Sequence, residues 1–188
     1  MNLAIFASGA GTNAKNIIEK LNNEDACVKL VLTNNSEAGV IGIAAEKKIP
    51  VYITAPDFTS QQSDVLALLS ALDIDLIVLA GFLRKIPSQI INKFRNRIIN
   101  IHPALLPKYG GKGMYGQKVH EAVIINREAS TGITIHLVNE YYDEGEIILQ
   151  KEINISPNDN AETIAAKVHE LEYLYFPEVI KSLISNKK

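Results

Sequence analysis

Leu3-Ala-Ile-Phe-Ala7 runs directly into Ser8-Gly9-Ala10-Gly11-Thr12-Asn13-Ala14, an apolar run followed at once by glycines and then by a segment of helical period over 13–21. A short, continuously apolar run is how a parallel strand covered on both faces reads. The same unit recurs along the chain. Apolar runs at 28–32, 51–53, 76–80 and 98–101 are separated by helical segments at 39–48, 60–72 and 87–94. Parallel strands need helical crossovers, so the alternation predicts a Rossmann-like, doubly wound α/β fold with a mostly parallel sheet.

After Ile101 the pattern changes. Residues 102–116 carry two prolines and four glycines and read as a long ordered loop, with a helix expected over 115–127. Alternating segments at 131–138 and 147–155 predict a C-terminal strand pair around the turn Asn139-Glu-Tyr-Tyr-Asp-Glu-Gly145. Asp159-Asn-Ala-Glu162 resembles a capping box opening a last helix, which Pro177 is expected to kink or split. With no repeat, linker or low-complexity tract, the 188 residues are expected to form one domain over 1–188.

Composition narrows the function classes. At 47% hydrophobic and 21% charged the chain is an ordinary globular sequence, which excludes disorder and fibre. Nineteen basic against twenty-one acidic residues give a net charge of −2, so no global field favours nucleic acid or an anionic membrane. The single cysteine, Cys27, has no partner for a disulfide and is expected to be a small core hydrophobe. Residues 1–7 lack the features of a signal peptide, and no apolar stretch has membrane-spanning length. A cytoplasmic protein with small-molecule partners is expected, as a monomer or homodimer.

Three features point to chemistry. The loop 8–14 lets backbone N–H groups approach an anion at a helix N-terminus. It also matches a dinucleotide fingerprint, but the second strand ends in Thr33-Asn34-Asn35-Ser36 with no carboxylate for a ribose, so a phosphate monoester is favoured over a nicotinamide cofactor. In Asn100-Ile101-His102-Pro103 two side chains two apart share one strand face at its carboxyl end, where open α/β sheets place ligands. An amide donor beside an imidazole suits a reaction passing through a tetrahedral intermediate. Asp143, in a turn between two strands, is a carboxylate able to reach another loop. His136 is expected as a hydrogen-bonded support within its strand, while His120 and His169 on helices receive no role. No metal-ligand cluster and no serine-nucleophile elbow are present in the sequence.

Taken in order, Ser8–Asn13, Leu79-Ala-Gly-Phe-Leu-Arg84, Asn100-Ile-His-Pro-Ala-Leu-Leu-Pro-Lys108, Thr134-Ile-His136, Asp143-x-Gly145 with Ile148-Leu-Gln150, and Glu172 ahead of Pro177 resemble the folate-dependent glycinamide ribonucleotide formyltransferase family. The resemblance implies formyl transfer from 10-formyltetrahydrofolate, as cosubstrate and without a metal, to the amine of glycinamide ribonucleotide in purine (IMP) biosynthesis. It implies that Asn100 donates to the developing oxyanion, that His102 is the general acid, and that Asp143 pairs with His102 and raises its pKa. Gly11, Thr12 and Asn13 would hold the substrate phosphate and Glu172 the ribose hydroxyls. Folate would lie against Leu83, Arg84, Lys85, Ile86, Asn100, Val138 and Glu140. Gln61, where members often carry a basic residue, would flank it.

Related activities are separable. A methionyl-tRNA formyltransferase needs a further C-terminal domain and a basic surface. A formyltetrahydrofolate hydrolase typically carries an extra N-terminal domain. The alternatives left open are a formyltransferase acting on an amino sugar nucleotide and, from a different class, a Rossmann-type nucleotide-binding module that performs no chemistry.

Overall fold

Strand residues of alternate parity face opposite sides of the sheet, and in this chain both sides are apolar. The computed structural model, which describes residues 1–21, 25–55 and 58–185, places β1 (Asn2–Phe6), β2 (Cys27–Thr33), β3 (Val51–Ile53), β4 (Leu76–Leu79), β5 (Ile98–His102), β6 (Ser130–Leu137) and β7 (Ile147–Asn154) in one sheet. Its order is β3-β2-β1-β4-β5-β6-β7. The first five strands are parallel and β7 runs antiparallel to β6, as the alternation in the sequence predicts; β6 also runs antiparallel to β5.

Two cores follow from the pleat. Leu3 and Ile5 point to a face covered by α1 (Thr12–Leu21), α2 (Val40–Glu46), α5 (Gln117–Ile125) and α6 (Ala161–Ser185). Ala4 and Phe6 point to the other, covered by α3 (Gln62–Ala71), behind a 3₁₀ turn at Phe58–Gln61, and by α4 (Ser88–Lys93). On that face Phe6, Phe58 and Phe82 meet edge to face with centroids 5.4–6.3 Å apart, which seats the chain just after β4. Among the described residues no helix is long and apolar enough to cross a membrane.

Three local expectations are corrected. Cys27 opens β2 only half-buried, between the buried Ala26 and Val28. The cap of α6 sits one residue later than expected. Asn160 Oδ1 accepts the Glu162 and Thr163 amides, and Thr163 Oγ1 accepts the Asn160 amide, while Asp159 instead takes the Ser156 amide and Lys167 Nζ. The box is thus Asn160 with Thr163, in which a Thr hydroxyl does what a Glu carboxylate usually does.

Pro177 does not split α6, which runs unbroken over 25 residues. A proline inside a helix removes the hydrogen bond to the carbonyl four residues back, here that of Tyr173. Tyr173 O instead accepts Asn16 Nδ2 at 2.9 Å and Lys20 Nζ at 2.8 Å, both from α1. The defect in one helix is thereby satisfied by its neighbour, which fixes the rotation of α6 against α1. Asn16→Ala should destabilise the protein by about 1 kcal/mol, a fall in Tm of about 2–4 °C for a chain of this size. In a Pro177→Ala background, where Tyr173 O regains a helical amide, the same substitution should cost clearly less. Equal costs in the two backgrounds, read by thermal melting, would separate Asn16 from the proline.

Candidate active site

β1 ends at Phe6, and the chain turns through Gly11 at φ 80 into α1. A Cβ on Gly11 would lie 2.7 Å from Val40 Cβ, so the turn closes against α2 only because this residue has none. Ser8 ties three segments together here: its hydroxyl donates to Asn34 Oδ1 at 2.5 Å and accepts the Leu83 amide at 2.8 Å. The loop forms one end of a cleft of about 930 Å³ that Gly11, Thr12, Asn13, Leu83 and Arg84 line.

At the centre of the cleft β5 delivers Asn100 and His102. The exit from β5 is pinned from the neighbouring strands. Thr134 Oγ1 in β6 donates to Ala104 O and accepts the Leu106 amide, and Gln150 Nε2 in β7 reaches Thr134 Oγ1 and Leu106 O. Asp143 arrives from the loop between β6 and β7. It sits at φ 56, a left-handed conformation that aspartate tolerates, and Asn139 braces the loop by accepting the Tyr141 amide and donating to Glu144 O.

These groups meet at close range. Asn100 Nδ2 lies 3.1 Å from His136 Nε2 and 3.5 Å from Asp143 Oδ1. His136 Nδ1 lies 2.8 Å from Leu137 O, and because a carbonyl only accepts, Nδ1 carries a proton. By the same reasoning His102 Nε2, 2.7 Å from Tyr109 O, carries its proton and leaves the lone pair on Nδ1, 3.7 Å from Asp143 Oδ2. The Gly111 amide donates to the same carboxylate oxygen at 2.9 Å.

Burial is the largest influence on His102 and pushes its pKa below the usual 6.5; Asp143 and the Tyr109 carbonyl pull upward without offsetting it. Asp143 does pull this pKa upward, as expected, but at 3% exposure desolvation of the imidazolium outweighs that pull. Burial works the other way on Asp143, yet His136, His102 and the Gly111 amide together hold its carboxyl below the ordinary range.

Beside the glycine loop, also lining the cleft, lies Glu172, 4% exposed, whose Oε2 accepts Asn13 Nδ2 at 2.8 Å and faces His169 Nδ1 at 2.8 Å. That hydrogen bond raises the His169 pKa against the opposing effect of burial. His169 therefore has a role that the sequence reading withheld, although its i, i+3 spacing from Glu172 on one helix face was a usable signal. His120, also given no role, is buried in the cleft wall, and burial lowers its pKa. Tyr109 and Gly111 reach His102 and Asp143 through backbone groups, which no side-chain pattern reveals.

A smaller cavity of about 70 Å³ adjoins the cleft between Arg84, Lys85 and Ile86 on one side and Val138 with Tyr142 on the other, and Asn100 and Asp143 border both spaces. Of the residues expected near folate, two are not brought to it. Gln61 turns its Oε1 onto the Ala55 amide at 2.5 Å, and Glu140 points to solvent; neither lines these cavities. Among the described residues no group of three His, Cys, Asp or Glu side chains is placed to hold a metal.

The chain is similar to phosphoribosylglycinamide formyltransferases. It is 40% identical to the chloroplastic enzyme of Vigna unguiculata over 98% of its own length and 61% of that protein's, so it spans about three-fifths of this relative. It is 36% identical to the Bacillus subtilis protein of that name, covering 96% of this chain and 93% of the other. The crystal structure of phosphoribosylglycinamide formyltransferase from Bacillus halodurans superposes with a TM-score of 0.89 at 33% identity, covering 100% of this chain and 97% of that one. With the formyl transferase family model matching residues 1–180, the chain belongs to the formyl transferase family.

Proposed function

We propose that this chain transfers the formyl group of 10-formyltetrahydrofolate to the amine of glycinamide ribonucleotide, giving N-formylglycinamide ribonucleotide and tetrahydrofolate. The observation that carries the reading is the convergence of Asn100, His102 and Asp143 in a cleft that ends at the glycine loop 8–14. The names of the similar proteins agree with it.

Each group has a task set by its surroundings. The amides of the loop at the α1 N-terminus suit the ribonucleotide phosphate, with Gly11, Thr12 and Asn13 closest to it. Glu172, oriented by Asn13 and His169, suits the ribose hydroxyls, since Oε1 is left to accept from them. The segment from Leu83 to Ile86 and the chain from Val138 toward Asp143 suit the flat ring of the folate, whose apolar edge matches Leu79, Ile86 and Val138 in the smaller cavity. The folate supplies the formyl carbon.

Asn100 Nδ2 exchanges its long contact with Asp143 for the formyl oxygen as charge gathers there. His102, neutral because it is buried, accepts at Nδ1 the proton that the attacking amine loses. Asp143 stabilises the imidazolium and, with a water, relays that proton to the departing folate nitrogen. His102 is thus a base first and the expected acid second.

Purified protein mixed with both substrates should show the absorbance change of folate deformylation, dependent on glycinamide ribonucleotide and not on amino sugar nucleotides. Turnover only with an amino sugar nucleotide, or none with any acceptor, would sink the assignment.

Because only neutral His102 can accept the proton, kcat/KM should fall as pH drops through a pKa below 6.5 and level off above it. Asp143→Asn removes an upward pull, so that limb should move to lower pH while kcat falls by about 10²–10⁴. A limb that stays in place would dissociate Asp143 from His102.

Glu172→Ala should raise KM for the ribonucleotide with a smaller change in kcat, because hydroxyl contacts remote from the amine serve ground and transition states alike. A collapse of kcat at constant KM in steady-state kinetics would overturn the ribose role.

A further inference from the structure

His102 owes its tautomer to a backbone carbonyl whose owner is held in a costly conformation. Tyr109 lies at φ 58, in the left-handed region that bulky residues occupy only where their surroundings impose it. Its hydroxyl donates to Glu128 Oε1 at 2.8 Å, and Lys108 Nζ reaches both oxygens of the same carboxylate at 2.9 and 3.1 Å. Glu128 is itself fixed by the end of α5. The chain turns at Arg127 (φ 53), where the Arg127 amide bonds Ile124 O and the Glu128 amide bonds Val123 O.

Two residues beyond Tyr109, the Gly111 amide holds Asp143 Oδ2. One short segment therefore supports both members of the proton-handling pair, the Tyr109 carbonyl on His102 and the Gly111 amide on Asp143. The Lys108–Glu128 contact alone would be an exposed ion pair of small worth. The half-buried Tyr109 hydroxyl makes the difference, since it converts the carboxylate into an anchor for the backbone that faces His102.

We infer that Glu128 is a positioning residue for formyl transfer: by holding the Tyr109 hydroxyl it keeps the Tyr109 carbonyl on His102 Nε2–H, and so keeps the lone pair at Nδ1 facing Asp143. Its charge state suits the task. Lys108 first, then Tyr109, hold the Glu128 carboxyl below its usual range, while burial and the facing carboxylate push the Tyr109 phenol up. The anchor thus stays an ionised acceptor and a protonated donor. The other charged groups acting on His102 are Asp143, His136 and Glu172, none of which touches Glu128 in the described contacts.

The inference rests on the reading of His102 as the group that handles the proton, and the test separates the two. Nitrogen-15 NMR of the imidazoles in ligand-free protein reports the His102 tautomer without any turnover. Wild type should show the Nε2–H form. Tyr109→Phe, which keeps the ring and loses only the hydroxyl, and Glu128→Ala should each populate the Nδ1–H form.

Each variant should also lower kcat by about tenfold, the lower end of what loss of an orienting partner costs, with KM for both substrates within about twofold. The double variant should be little worse than either single one, because both break the same link. Should Glu128→Ala fail to fold, Tyr109→Phe decides the matter. An unchanged tautomer and kcat in folded Tyr109→Phe, or a change in KM alone, would overturn the positioning role. Wild-type protein without formyl transfer activity would refute the proposed function, while the tautomer measurement would still decide what Glu128 and Tyr109 do to His102.

Discussion

A carboxylate withdrawn from water must be given partners, and Asp143 is where this chain meets that requirement. Its oxygens face Asn100 and His102 from β5, His136 from β6 and the Gly111 amide from the loop after β5. Four segments distant in sequence are thereby drawn to one point. Leaving such a charge without partners costs several kcal/mol, so the loop between β6 and β7, the exit of β5 and the glycine-containing loop are mutually dependent. Gly145 belongs to the same constraint: a Cβ there would collide with Leu137 O, and the loop could not close over the strand pair that carries His136.

The sheet makes this convergence possible without specifying it. Alternating apolar residues commit α1, α2, α5 and α6 to one face and α3 and α4 to the other, and the parallel strands then all end at one edge. The glycine loop after β1, the Phe82 segment after β4 and the Asn100–His102 pair of β5 are neighbours because β1, β4 and β5 are neighbours in the sheet. The antiparallel pair β6 and β7 adds what parallel strands cannot, a loop returning to that edge with Asp143 at its tip and Thr134 and Gln150 propping the exit of β5.

The helix layer sets the second half of the cleft through a defect. Pro177 frees the Tyr173 carbonyl, α1 supplies Asn16 and Lys20 to it, and the same pairing of helices brings Asn13 to Glu172. Because Glu172 is buried, its carboxylate is oriented by Asn13 and His169 before any substrate arrives. Preorganised polar groups of this kind lose little freedom on binding.

Local pattern determined the fold class, because five apolar runs separated by helical periods have one economical arrangement and strand ends mark where it binds ligands. It also selected Asn100 and His102, which are close in sequence and share a strand face, and the glycine loop, whose backbone requirement is visible in residue type. Asp143 was legible only as a turn carboxylate able to reach another loop, 41 positions from His102, and Glu172, 70 positions away, only through family motifs. The tertiary structure alone decided the rest. It set the sign of the His102 shift, because desolvation depends on what surrounds the ring and outweighed a neighbouring charge that could be named from sequence. It turned Gln61 toward Ala55 and away from the cleft. It brought the Tyr109 carbonyl to His102 and the Gly111 amide to Asp143, since every residue but proline carries both backbone groups and only the folded path says which ones face a given side chain.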